Sequence, residues 1–127
     1  MLTLIGIGLN DEKDMTVKGL ELVKDADRIY LESYTSALQC SVEKLETFYG
    51  KKVTPVDRAF VEDGSAILSE AKWKNVVLLV VGDVFSATTH IALYLEAKKQ
   101  NIPVLVVHNA SIFTAVGITG LSLYKFG

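Results

Sequence analysis

The chain's 127 residues hold one cysteine, two prolines and two histidines. A single thiol, Cys40, excludes an intrachain disulfide framework and a cysteine-rich zinc site. Cys40 sits in SALQCSVEKL with no histidine nearby in sequence to activate it as a nucleophile. The missing disulfides fit a reducing compartment. His90 and His108 make no metal-ligand spacing, and no Ser-His-Asp order can be built around them. Charge of one sign is also missing. Thirteen basic and 15 acidic residues are interspersed, and basic runs stop at pairs such as Lys51-Lys52 and Lys98-Lys99. That excludes the basic face on which nucleic-acid affinity rests; a protein substrate stays open. No apolar run approaches the roughly 20 residues of a membrane helix. MLTLIGIGLND starts apolar, but it lacks a basic leader and breaks at Gly6 and Gly8. It reads as a first strand, not a signal peptide.

What is present is a globular composition. Half the residues are hydrophobic and 22% are charged, enough for one domain with a real core. Strand and helix patterns alternate along residues 1–127. LTLIGIG reads as a buried strand, and MTVKGLELVKDA as a helix with Asp14 placed to cap it. RIYLES is a second strand. SVEKLETFYG is a helix with Ser41 as cap candidate and Gly50 as stop. KKVTPV is a weaker strand whose Pro55 suggests an edge or an end. DGSAILSEAKW is a helix, and NVVLLVV reads as the most buried strand. TTHIALYLEAKKQN is a helix with Lys98 and Lys99 at its C-terminal end, where the dipole favours cations. Pro103 starts the strand VLVVHN, and SIFTAVGITGLSLYKFG ends the chain. Apolar strands separated by helices predict a parallel sheet covered on both faces. The fold class is therefore α/β, a three-layer domain with a central, mainly parallel five-stranded sheet.

In such sheets ligands bind beyond the carboxyl ends of the strands, near a switch in strand order. The stretches to search are Gly6–Asp11, Glu32–Thr35, Gly82–Thr89 and His108–Ile112. GIGLND opens like a dinucleotide fingerprint, but its third glycine position is Asp11, followed by Glu12 and Asp14. Carboxylates at a helix entrance repel a pyrophosphate. Glu32 does end the second strand, where a ribose-binding acid would stand. A cationic or zwitterionic ligand would tolerate the acids, and the glycines alone make a tight strand exit. GDVFSATTH lacks the second glycine and the Lys-Ser/Thr pair of a phosphate loop. Asp83 is placed either to bind ligand hydroxyls or an amine, or to cap a turn. Ser86, Thr88 and Thr89 have a structural role as helix caps, and His90 reads as a surface or packing residue. Asn109, Ala110 and Ser111 would lie beside the Gly82–Ser86 loop if their strands are neighbours. Ser111 can also cap a helix, with Gly117 and Gly120 allowing close packing.

LIGIGLNDEKDMTVKGLE, YLESYTS, VVGDVFSATTH, HNASIFTAVGITGL and LYKFG, in this order along the whole chain, resemble the N-terminal domain of the diphthine synthase family. That family belongs to the tetrapyrrole-methylase-like group of S-adenosylmethionine-dependent methyltransferases. The GDVF and HNAS forms resemble its eukaryotic branch; archaeal members more often carry proline after the aspartate. The resemblance implies methylation of the amino-carboxypropyl-modified histidine of translation elongation factor 2, in the cytoplasm, by a homodimer. Eukaryotic members methylate the amine and also form a methyl ester. It implies cofactor contacts at Leu9, Asp83, Ser86, Ser111 and Ile112, with Ser86 acting through its backbone. S-adenosylmethionine would be the donor and S-adenosylhomocysteine the product; no metal, nucleic acid or membrane is implied. A sulfonium cation tolerates nearby carboxylates, and in-line methyl transfer demands mainly positioning and an uncharged amine. No base is assigned by the sequence. The family carries a second domain after YKFG, with the cofactor between the two, so the expectation is that residues 1–127 alone are not competent. Alternatives are a tetrapyrrole C-methyltransferase and a non-catalytic dimerisation or binding module.

Overall fold

A computed structural model describes residues 1–32, 41–85 and 90–110. Its five strands are β1 (Leu2–Gly6), β2 (Arg28–Glu32), β3 (Thr54–Val56), β4 (Val76–Val80) and β5 (Val104–Val107). They lie in the order β3-β2-β4-β1-β5, and each pairing is parallel. Between them run α1 (Val17–Lys24), α2 (Val42–Tyr49), α3 (Arg58–Asp63), α4 (Ser65–Ala71) and α5 (Ile91–Lys99). The expected α/β fold with a five-stranded parallel sheet is therefore present.

The central strands are mostly apolar because both faces of the sheet are covered. Alternate residues face opposite sides. Ile5, Ile7, Leu31, Val77 and Leu79 pack with Val23 of α1 and with Leu45 and Tyr49 of α2. Leu2, Leu4, Tyr30, Leu78 and Val80 pack with Ile67 and Leu68 of α4 and with Leu93 of α5. Full burial of one such side chain is worth about 1.5–3 kcal/mol, so the register β1 Leu4 to β4 Leu78 and β5 Val106 is strongly specified. β3, with Pro55 at its centre, is an outer strand of the described sheet. There its missing N–H costs no ladder bond.

Local caps match the sequence reading at α2, where Ser41 accepts from the Lys44 amide at 3.3 Å and Gly50 ends the helix. Lys98 and Lys99 close α5 as expected. Two details differ. The cap of α1 is Thr16, whose hydroxyl accepts from the Gly19 amide at 3.0 Å. Asp14 instead closes a single 3-10 turn over Glu12–Asp14 in a reciprocal box with Asp11. α3 went unpredicted, since six residues hold too little periodicity to read; it is fixed locally by Asp57, which accepts from the Phe60 amide at 2.9 Å.

Candidate functional site

Strand order sets the site. From β1 the chain crosses over β4 to reach β2, and from β4 it crosses over β1 to reach β5. The connections leave β1 and β4 in opposite directions on opposite faces. Beyond their carboxyl ends lies the crevice where ligands of open α/β sheets bind. Two glycines shape it. Gly8 and Gly82 have φ of +80 and +81, a region closed to most side chains. Their backbones form an antiparallel bridge, Gly82 N–H to Gly8 O at 2.8 Å and Gly8 N–H to Gly82 O at 3.2 Å.

The β5 exit joins them across β1. β4 and β5 are not sheet neighbours, so the condition for their loops to meet is not satisfied through pairing. The loops meet because β1 ends in Gly6. A Cβ there would lie 2.6 Å from Gly82 O and 3.1 Å from both Asn109 Cβ and Asp83 Cα. Through that gap the Asp83 carboxylate reaches β5. Its Oδ1 accepts from the Asn109 amide at 3.0 Å and from His108 Nδ1 at 2.9 Å; Oδ2 receives a long 3.4 Å contact from the Phe85 amide. Asn109 completes the knot. Its Nδ2 donates to Gly6 O at 3.1 Å and to Asp14 O at 3.0 Å, while its Oδ1 accepts from the Ala110 amide at 2.7 Å.

Asp83 is 7% exposed. Burial pushes its carboxyl up, but the Asn109 amide, the His108 ring and the Phe85 amide together hold it below the ordinary value of 3.8. It is a fixed anion. The rim beside it is acidic too. Asp14 Oδ2 accepts from the Asn10 amide at 2.8 Å and the Asp11 amide at 3.4 Å, and Asp11 accepts from the Lys13 amide at 2.9 Å. Amides that would cradle a pyrophosphate are thus bonded to carboxylates. The donor set suits a cation instead.

Of the candidate residues, Leu9 stands half-buried just after Gly8, and Asp83 occupies the centre of the knot. The structure brings these two loops together through the glycine bridge. Ser86, Ser111 and Ile112, with Cys40, Thr88 and Thr89, lie outside the described residues. Glu32, which ends β2 where a ribose-binding acid would stand, is instead buried, and of the two readings of His90 the structure takes packing over surface: the two residues are paired through Glu32 Oε2 and His90 Nε2. Isolation of a charged carboxylate in the interior is costly, and that cost explains why an acid at a strand end turns inward to an imidazole. Sequence reasoning missed the joint made by Asn109 and the role of Gly6 in admitting it. The signal available was a glycine at a strand's last residue, where close backbone approach is a standing explanation. Hollows of about 340 Å³, lined by Ala26, Arg28, Lys51 and Lys52, and about 430 Å³, lined by Glu62, Leu68, Leu93 and Glu96, lie elsewhere. Neither is lined by Leu9, Asp83 or His108. Among the described residues no group of three or more His, Cys, Asp or Glu is placed to hold a metal, and no helix is long and apolar enough to cross a membrane.

Comparison with known proteins places this geometry. The family model of the Tetrapyrrole (Corrin/Porphyrin) Methylases matches residues 1–127. A diphthine methyl ester synthase of Candida glabrata is 59% identical, covering 100% of this chain and 43% of that protein. The Homo sapiens diphthine methyl ester synthase is 56% identical, covering 100% of this chain and 45% of that protein. A crystal structure of diphthine synthase superposes with a TM-score of 0.94 at 50% identity, over 99% of this chain and 51% of that one. The chain spans less than half the length of these curated relatives.

Proposed function

Because the chain belongs to the tetrapyrrole (corrin/porphyrin) methylase family, we propose that it forms one wall of an S-adenosylmethionine site in a methyltransferase of diphthamide formation. The acceptor on this reading is the amino-carboxypropyl-modified histidine of translation elongation factor 2. Relatives at 59% and 56% identity bear the name diphthine methyl ester synthase, which favours this acceptor over a tetrapyrrole ring. The observation that carries the reading is the knot of β1, β4 and β5 exits at the switch point, with an acid-rich rim. Phosphate is unwelcome there, and a sulfonium is not.

When bound, the donor supplies an electrophilic methyl group. The chain's own part is positioning, worth several kcal/mol when the reacting atoms are held in line. Leu9 follows the left-handed Gly8 at the β1 exit, and by the resemblance it contributes a contact to the cofactor there. Asp83 is held rigid by Asn109 and His108 and presents fixed negative charge toward the bound cation. By the resemblance, Ser86, Ser111 and Ile112 add contacts from the loops after β4 and β5. A cytoplasmic homodimer acting on the elongation factor belongs to the same reading.

Calorimetric titration with S-adenosylhomocysteine tests it. The full-length protein is expected to bind, and Asp83→Ala to weaken binding by about 1–3 kcal/mol, the range for losing a charged or buried hydrogen-bond partner. Unchanged affinity in a folded variant would return Asp83 to a purely structural role. No binding by the unsubstituted protein would sink the methyltransferase reading.

A further inference from the structure

We propose that His108 is the proton acceptor for the amine that is methylated, an assignment that rests on the methyl-transfer reading above. Both histidines of the chain are paired with a carboxylate, but the two pairs are built differently. His90 and Glu32 are both buried, with side chains 1% and 0% exposed. The His108 side chain is 68% exposed, against 10% for its partner Asp83. The carboxylate is therefore inside and the imidazole outside, at the carboxyl end of β5.

The chemistry of the pair fixes the tautomer. An ionised carboxylate only accepts, so the Nδ1 atom lying 2.9 Å from Asp83 Oδ1 carries the hydrogen. Nε2 of the neutral ring then carries the lone pair, on a side chain that is 68% exposed. The ring is held on two sides. Asp83 is pinned by the Asn109 amide on the same oxygen, and Phe85 meets the ring edge-on with centroids 6.3 Å apart. A buried acid orienting an exposed imidazole is the arrangement general base catalysis needs. Among the described residues, Asp83 from β4 is the charged group bonded to the ring; the turn after β1 carries Asp11, Glu12, Lys13 and Asp14, and α5 carries Lys98. Lys98 lies over Tyr94, which packs on Phe85.

The step balances as follows. An ammonium hydrogen of the acceptor passes to Nε2, leaving a neutral amine and an imidazolium beside the Asp83 carboxylate. The freed lone pair attacks the methyl carbon in line, and the carbon–sulfur electron pair stays on sulfur as a neutral thioether. The imidazolium returns its proton to water. Each N-methylation that starts from the protonated amine, the third included, releases one proton. Methylation of the acceptor's carboxylate oxygen needs no such acceptor, because that group is already an anion at neutral pH.

Two measurements on the full-length protein decide the matter. Nitrogen-15 NMR of the His108 ring at mildly alkaline pH is expected to show hydrogen on Nδ1 and a bare Nε2. His108→Asn keeps a donor toward Asp83 but has no Nε2. Single-turnover methylation of unmethylated elongation factor 2, resolved by mass spectrometry, should show N-methylation slowed about 100-fold near pH 7. The loss should shrink as pH rises toward the amine's own titration, and O-methyl product should take a larger share. S-adenosylhomocysteine affinity is expected to stay within about two-fold of the unsubstituted protein. N-methylation at the unsubstituted rate and pH profile, or hydrogen found on Nε2, overturns the assignment to His108. Absence of any transfer by the unsubstituted protein overturns the methyltransferase reading itself, and the assignment with it.

Discussion

Asp83 is the residue whose loss has the most calculable consequence. Asp83→Ala removes the acceptor of the Asn109 amide at 3.0 Å and of His108 Nδ1 at 2.9 Å. A hydrogen bond to a charged group contributes about 1.5–3 kcal/mol, and a buried donor left without a partner costs about 1–3 kcal/mol. The Asn109 bond takes that range. The His108 bond is discounted to below about 1 kcal/mol because its ring is largely in water, and the 3.4 Å Phe85 contact adds little. The sum is about 2–3 kcal/mol of unfolding free energy near pH 7. Asp83→Asn keeps an acceptor of the same shape without the charge, so its cost should be near 1 kcal/mol.

The pH dependence distinguishes charge from shape. The Asp83 carboxyl lies below its ordinary value of 3.8 in the fold, with the Asn109, His108 and Phe85 donors outweighing burial. The folded state therefore binds this proton less readily than the unfolded chain. Stabilisation from the charge is complete above the unfolded value, about 3.9, and disappears as pH falls through the lower folded value. Urea unfolding followed by circular dichroism at about pH 7 and about pH 3 should show the gap between the original chain and Asp83→Asn narrowing in acid. A gap constant with pH, or an Asp83→Ala variant within about 0.5 kcal/mol of the original, would refute the reasoning.

Three further outcomes follow from other joints. Gly6→Ala places a methyl 2.6 Å from Gly82 O; an obstacle made of backbone yields poorly, so the variant should lose about 1–3 kcal/mol in a thermal or urea melt. It should also bind S-adenosylhomocysteine more weakly, although no polar group was removed. Glu32→Ala or His90→Ala leaves a buried partner without its mate, at a cost of about 3–5 kcal/mol. A double-mutant cycle should show strong coupling, and strict additivity would disprove the pairing. Thr16→Ala removes the α1 cap and should cost about 1 kcal/mol in the same melts; an unchanged melt would show that this cap does not hold the helix start.

The sheet was legible because its evidence is one-dimensional. VVLLV is apolar at each position and LTLIG at all but Thr3, the mark of strands covered on both faces, and their lengths fit strands. Helix ends were legible where a single side chain decides them, as at Ser41 and Gly50. At α1 the sequence reading took Asp14, but the 3-10 turn over Glu12–Asp14 absorbs that residue and moves the cap two residues on, to Thr16. The site was half legible. Position marked Asp83 as a candidate, since ligands gather at strand carboxyl ends, while Leu9 came from the family resemblance. The partner of a carboxylate is a three-dimensional fact. Nothing in the spacing of Glu32 and His90, or of Asp83 and His108, says which acid turns inward and which histidine stays exposed.

The placement of β1 between β4 and β5 explains why these choices are coupled. Asp83 leaves β4, and its best donors leave β5, with the end of β1 standing between them. A side chain on residue 6 would close that path, and Asp83 would lose the amide that holds its charge. Gly6 therefore belongs to the electrostatics of the site even though it carries no charge. Asn109 then works in the opposite direction, tying β5 back onto the Gly6 and Asp14 carbonyls. The same residue supplies an amide to Asp83 and two side-chain hydrogens to the β1 side, so the carboxylate cannot shift without moving two loops. Such rigidity suits a reaction that needs alignment more than acid strength. It also means that perturbing Gly6, Asp83 or Asn109 should give non-additive losses, as residues sharing one network do.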